Sequence, residues 1–95
     1  MGFTTIQSTQ LSADGAVVGG SARIKSIYVA HSGTAGTVIL RDGGATGTVR
    51  CTINTAAAVG EYNTVIPEPG IHCKSTSGPY IAITGGVSFV TVFYD

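Results

Sequence analysis

His31 and His72 are the only candidate general bases in this 95-residue chain. Nucleophilic catalysis needs a Ser or Thr hydroxyl held by such a histidine, and a carboxylate to orient the ring. No Gly-x-Ser-x-Gly or other nucleophile elbow assembles these types in the sequence. His31 ends an extended run beside the small-residue loop Ser32–Gly36, and His72 takes the outward phase between Ile71 and Cys73. Both histidines are expected at surfaces or interfaces. Asp42, Glu61 and Glu68 fall in or near turns, where acidic residues ordinarily cap the backbone. Asp42 stands alone, whereas calcium takes several oxygen ligands at short spacing. Cys51 and Cys73 lie 22 positions apart and match no zinc set, which takes four donors. Cys51 shares an apolar phase with Val49 and Ile53, and Cys73 shares one with Ile71. Buried free thiols are therefore expected, and a disulfide stays open if the two strands are neighbours in an oxidising compartment. Gly43–Gly47 has neither the lysine nor the following helix of a phosphate loop, and Gly33–Gly36 has only the spacing. The expectation is a chain with no catalytic, cofactor-binding or metal-binding residues, and not an enzyme.

The runs that would position these residues are strands. Val87–Tyr94 is β-branched, aromatic or serine throughout, the types that suit a pleated surface. Val87, Phe89, Thr91 and Phe93 take one phase, and Ser88, Val90, Val92 and Tyr94 the other. Both phases are largely apolar, so this strand is expected at the centre of a sheet, or with one face against a neighbouring subunit. Gly85-Gly86 is expected to turn the chain so that Pro79–Thr84 and the terminal strand form a hairpin. Upstream, Ala22–His31 and Thr37–Arg41 read as strands joined by a hairpin loop at Ser32–Gly36. Ile24 and Ile27 cannot share a face at period 2, which predicts a bulge near Lys25-Ser26. Asp42–Gly47 is a second hairpin turn, with Asp-Gly as its signal. Thr48–Asn54 alternates, with Val49, Cys51 and Ile53 expected inward. Ala56–Ala58 sits in a segment too short for a stable helix and is expected as a loop or single turn. Ala16–Val18, Glu61–Pro67 and Ile71–Lys74 complete the strands. Regular short strands with Gly and Pro turns define the expected fold class. It is all-β, a compact β-sandwich or jelly-roll-like domain of seven to eight short antiparallel strands. Residues 1–10 read as an N-terminal arm or edge strand, with Phe3 and Ile6 its large apolar groups, and residues 11–95 as the single domain.

Composition narrows the partners. Hydrophobic residues make up 43% and charged residues only 11%, with five cations balanced by five anions. A typical charged share is about 25%. Such a chain is poorly suited to life as a free monomer, which favours association with copies of itself or a larger assembly. Arg23, Lys25, Arg41, Arg50 and Lys74 are dispersed in the sequence, so the basic face that nucleic acid requires is not expected. No signal peptide is expected, and no apolar run approaches the ~20 residues of a membrane span. The aromatics mostly share strand phases with Ile or Val, which points to core or interface packing before sugar stacking.

From Arg23 onward, five phrases follow one another: Ile27–Gly33, Val38–Gly44, Ile53–Ala58, Ile66–Ile71 and Val90–Tyr94. This order resembles the small all-β structural proteins of tailed bacteriophages, which are short, rich in Gly and Thr, and end on a Val/Phe/Tyr strand. The resemblance covers roughly positions 23 to 95. It implies a virion component made in the host cytoplasm, and most closely a capsid decoration (cement) protein on the outer shell. Such proteins clamp neighbouring capsomers, so the implied partners are the major capsid protein and further copies of the chain, as a homo-oligomer with a trimer favoured. Met1–Gln10 would correspond to a capsid-holding arm. Phe3, Ile6 and whichever of Tyr28, Tyr62 and Tyr94 are exposed would lie at interfaces. Two other readings stay open: a head-fibre, tail or neck subunit, and a carbohydrate-binding module of an adhesin.

Overall fold

The extended runs become strands and the Gly- and Pro-rich runs become turns or bends, with no helix among residues 6–95, which the computed structural model describes. The strands are β1 (Gln7–Leu11), β2 (Gly15–Ala16), β3 (Ala22–Asp42), β4 (Thr48–Thr55), β5 (Gly60–Val65), β6 (Ile71–Cys73) and β7 (Pro79–Tyr94). The protein is all-β, and every strand pairing is antiparallel. The strands are not all short, however, because β3 has 21 residues and β7 has 16. The hydrogen bonding joins all seven strands in one sheet, with β7 and β3 side by side at its centre. The core is enclosed by this one sheet. Of residues 1–10, expected as an arm or edge strand, 7–10 lie in β1 (Gln7–Leu11), an edge strand on β7. Phe3 and its neighbours at 1–5 lie outside the described residues.

The sheet is folded at its middle. A straight strand of the length of β3 would run ~70 Å at ~3.3 Å per residue, yet the longest dimension of the molecule is 44 Å. The ladder between β3 and β7 runs from Ile24↔Tyr94 to His31↔Val87, then resumes at Gly36↔Gly85. Ser32–Ala35 thus face Gly86 alone, and the longer path on β3 bends the pair. The ends of β3 come back together. Its first residues pair with β6, and its last residue, Asp42, accepts the backbone N–H groups of Lys74 and Ser75 just after β6.

This overturns two expected hairpins. Ser32–Gly36 and Gly85-Gly86 are bends within continuing strands, because each run lies opposite the other. Gly85 has φ +68°, and a Cβ there would stand 2.7 Å from Gly36 Cα. The chain continues from Pro79–Thr84 into Val87–Tyr94 as one strand, so the terminal run has β1 and β3 as its neighbours. Its expected central place holds. The Asp42–Gly47 hairpin also forms, with Gly43 and Gly44 at positive φ.

Bulges set which face each side chain takes. Lys25 is the extra residue between Ile24↔Tyr94 and Ser26↔Phe93, as the spacing of Ile24 and Ile27 predicts. Both isoleucines are therefore fully buried. Ser88 is a second extra residue, which brings Val87 into phase with Val90, Val92 and Tyr94. The two halves close on one core. Ile24, Ile27, Val29, Val90 and Val92 come from one half, and Val38, Leu40 and Ile81 from the other, joined by Val17, Ile66 and Cys73. Fully burying each such side chain stabilises by ~1.5–3 kcal/mol. On β4 the inward phase is weaker than expected. Cys51 and Ile53 are half-buried, but Val49 is 46% exposed because the bulge at Arg50 turns the end of this edge strand outward.

Candidate interaction face

Val90, Val92 and Tyr94 are buried within one subunit, so the inner face of β7 needs no second chain to cover it. The other face of the same strands is different. Directly opposed residues share a face in an antiparallel pair. The register therefore lays out three rows: Ser8–Phe93–Ser26–Val65, Gln10–Thr91–Tyr28–Asn63, and Phe89–Ala30–Glu61. Among the described residues, no strand covers them. Phe89, Phe93 and Tyr28 are half-buried only by their own sheet, and Val65 is 77% exposed. The Tyr28 and Phe89 rings lie 6.0 Å apart at 39°. The Tyr28 hydroxyl donates to the Glu61 carboxylate. That hydrogen bond, then desolvation and the nearby negative charge, hold the phenol above its usual pKa.

At one end of the face, Phe93, Ser26 and Asn63 border a shallow cleft of about 580 Å³ with Ile6. Its charged wall is an ion-pair cluster. Lys25 Nζ lies 2.8 Å from Glu68 and 3.7 Å from Asp95, and Arg23 Nε lies 3.3 Å from Asp95. These pairs fasten the end of β7 to the start of β3, where Arg23 and Asp95 also exchange backbone hydrogen bonds.

The histidines are not brought together. His72 lies opposite Arg23 on the β3 ladder, eight residues from His31, or ~25 Å along the strand. His72 is exposed, but His31 is not at a surface as expected: it is 6% exposed. The Lys25 bulge leaves His31 in phase with Ile27 and Val29. Tyr62 stacks on its ring at 5.0 Å and 21°. Among the described residues, its Nδ1 has no hydrogen-bond partner. Among the described residues, no three His, Cys, Asp or Glu side chains are grouped to hold a metal ion.

Cys51 and Cys73 are free thiols, half-buried and buried respectively. Burial raises both pKa values. Cys73 is pushed up to about 11, first by burial and then by the Asp42 charge, against an opposing pull from Arg50. Thiols held protonated in this way are poor nucleophiles.

Of the residues expected at interfaces, Ile6 is exposed, Tyr28 and Tyr62 are partly exposed, and Tyr94 is buried. Phe89 and Phe93 were not separable from the core by sequence, because both phases of the terminal strand are apolar. Only their place opposite Ser26 and Ala30, on a face that no described strand covers, distinguishes them. The fold and this face define an all-β chain with an aromatic sheet surface that no described strand covers. No family model, curated protein or solved structure matches it.

Proposed function

We propose that this chain is a non-enzymatic structural subunit that acts by binding. In the setting implied by the sequence resemblance, it is a capsid decoration protein that sits as a homo-oligomer, favoured as a trimer, on the outer shell of a tailed-phage virion and stabilises it. The observation that supports this reading best is the face built from Tyr28, Phe89 and Phe93, which no strand covers among the described residues. Three rows across four strands span roughly 300–400 Å². That is under half of the ~800 Å² per partner of a standard interface. A contact of that size is weak alone and becomes firm when repeated around a symmetric oligomer or over a shell. The low charge of the chain fits a surface that is covered in use.

The test has two parts. Solution mass should give a discrete homo-oligomer, and the protein should co-sediment saturably with empty capsids of its cognate phage. A monodisperse monomer with no capsid affinity would remove the proposal. Electron microscopy of labelled virions separates the shell from the tail and neck, and label confined to the tail would move the protein there.

A further inference from the structure

Folding the sheet at its middle sorts the charges by position. The bend end carries Glu61, opposite Ala30 two residues before the bend. It also carries Asp14, which accepts the N–H of Ile83 two residues before Gly85. All five cations lie toward the other end, where the two ends of β3 meet. Arg23 pairs with His72, Arg50 donates to the His72 carbonyl, and Arg50 Nη1 lies 3.7 Å from Asp42. The acids beside them are covered or already paired. Asp42 and Asp95 side chains are 15% and 5% exposed, and Glu68 is held by Lys25. Glu61 has no cation partner among the described residues, and Lys74 has no anion partner. A chain with no net side-chain charge thus carries two carboxylates toward the bend and a surplus of two cations toward the other end.

Each end also offers apolar surface. Glu61 shares its row with Phe89, beside Tyr28. At the cationic end, exposed Val49 stands between Arg41 and Arg50 on the free edge of β4. The two patches are complementary in sign, and each supplies what the other lacks: aromatic rings around a carboxylate, and cations around an aliphatic group. Cations over aromatic rings add to the attraction.

Resting on the homo-oligomer reading above, we propose that the occupant of the aromatic face is a second copy of this chain, joined head to tail. The Glu61–Tyr28–Phe89 patch of one copy meets the Val49–Arg50–Lys74 end of the next. Such a contact is heterologous, so it builds a closed ring when the rotation closes, and an open chain when it does not.

Charge reversal tests this in the full chain. Glu61→Lys and Lys74→Glu are both on exposed side chains, and circular dichroism verifies that each variant folds. Each single variant should weaken self-association by about 10-fold or more, measured by sedimentation equilibrium at low salt. The double variant reverses both ends and should recover to within about 3-fold of the wild type. Loss in both singles with recovery in the double, in an oligomer larger than a dimer, supports the head-to-tail contact, whereas the same pattern in a dimer assigns the two patches to a two-fold pair and overturns it. Singles that associate like the wild type overturn the contact while leaving the oligomer reading intact. Singles that dissociate without recovery in the double overturn the pairing of these two ends. A wild-type chain that is monomeric throughout overturns both readings.

Discussion

Gly85→Ala tests the fold at its most constrained point, where β7 crosses the bend of β3. Two costs add. The backbone at Gly85 is left-handed, with φ +68°, which costs an L-residue ~1–2 kcal/mol. The new methyl group would also meet Gly36 Cα at 2.7 Å and press on the Ala35 carbonyl. These are backbone atoms of a paired strand, so relief requires shifting the ladder, and overpacking of this kind costs ~1–3 kcal/mol. The sum is about 2–5 kcal/mol, a large part of the ~5–15 kcal/mol that stabilises a domain. At the middle of that range, about 3 kcal/mol, Tm should fall by ~12–24 °C for a domain of this size. Gly33→Ala is the control. It lies on the same bend without positive φ, and its methyl group would have nothing within 4 Å. It should be neutral or slightly stabilising, by up to ~1 kcal/mol, through the unfolded state. Urea unfolding of the two variants beside the wild type, read by linear extrapolation, measures both. Equal stability of Gly85→Ala and wild type, or an equal loss in Gly33→Ala, would refute the tight crossing of the strands.

Other consequences follow from the buried groups. Cys51 should label with a thiol reagent in the native protein at pH 8 well before Cys73, and Cys73 should label at the rate of unfolding. Asp42→Asn removes a charge that raises the Cys73 pKa, so the thiolate absorbance of the folded protein should appear at a lower pH. Because the Cys73 thiol is raised in the folded state from 9.0 to about 11, its contribution to stability is present below pH ~9 and is lost as the pH rises through that window. Unfolding free energies measured between these limits should fall with pH, and Cys73→Val should flatten the slope. His31→Phe keeps a ring against Tyr62 and removes the unpaired Nδ1, so it should hold stability to within ~1 kcal/mol, whereas His31→Ala leaves a cavity and should lose ~2–4 kcal/mol in the same denaturation assay.

Much of the fold is legible in the residues themselves. Ile24 and Ile27 demand a bulge if both are to be buried, and the bulge is at Lys25. Asp42-Gly43 marks a hairpin, and the hairpin forms. The glycines at Ser32–Gly36 and Gly85-Gly86 mislead for a physical reason. Small residues permit a reversal of the chain and a tight crossing of two strands equally well, and only the partner strand decides which occurs. Those partners are about 50 positions apart in the chain (Gly36 faces Gly85), so no local pattern reveals them. The same limit applies to His31, whose burial depends on Tyr62 arriving from β5. The interaction face is legible only in part. Tyr28 and Ile6 stand out as candidates, but Phe89 and Phe93 alternate with equally apolar neighbours. The sorting of charge along the molecule is invisible in a linear reading, where the five cations look scattered.

The central claim is that the Tyr28–Phe89–Phe93 face is covered by protein when the chain is at work. The most direct measurement is the solution mass of the wild type beside Phe89→Ser and Phe93→Ser, by sedimentation equilibrium with circular dichroism as a check on folding. The account predicts a discrete homo-oligomer for the wild type and folded monomers for both variants, since their side chains lie outside the buried core. A wild type that sediments as a single chain at every concentration, or variants that keep the oligomer intact, would contradict it.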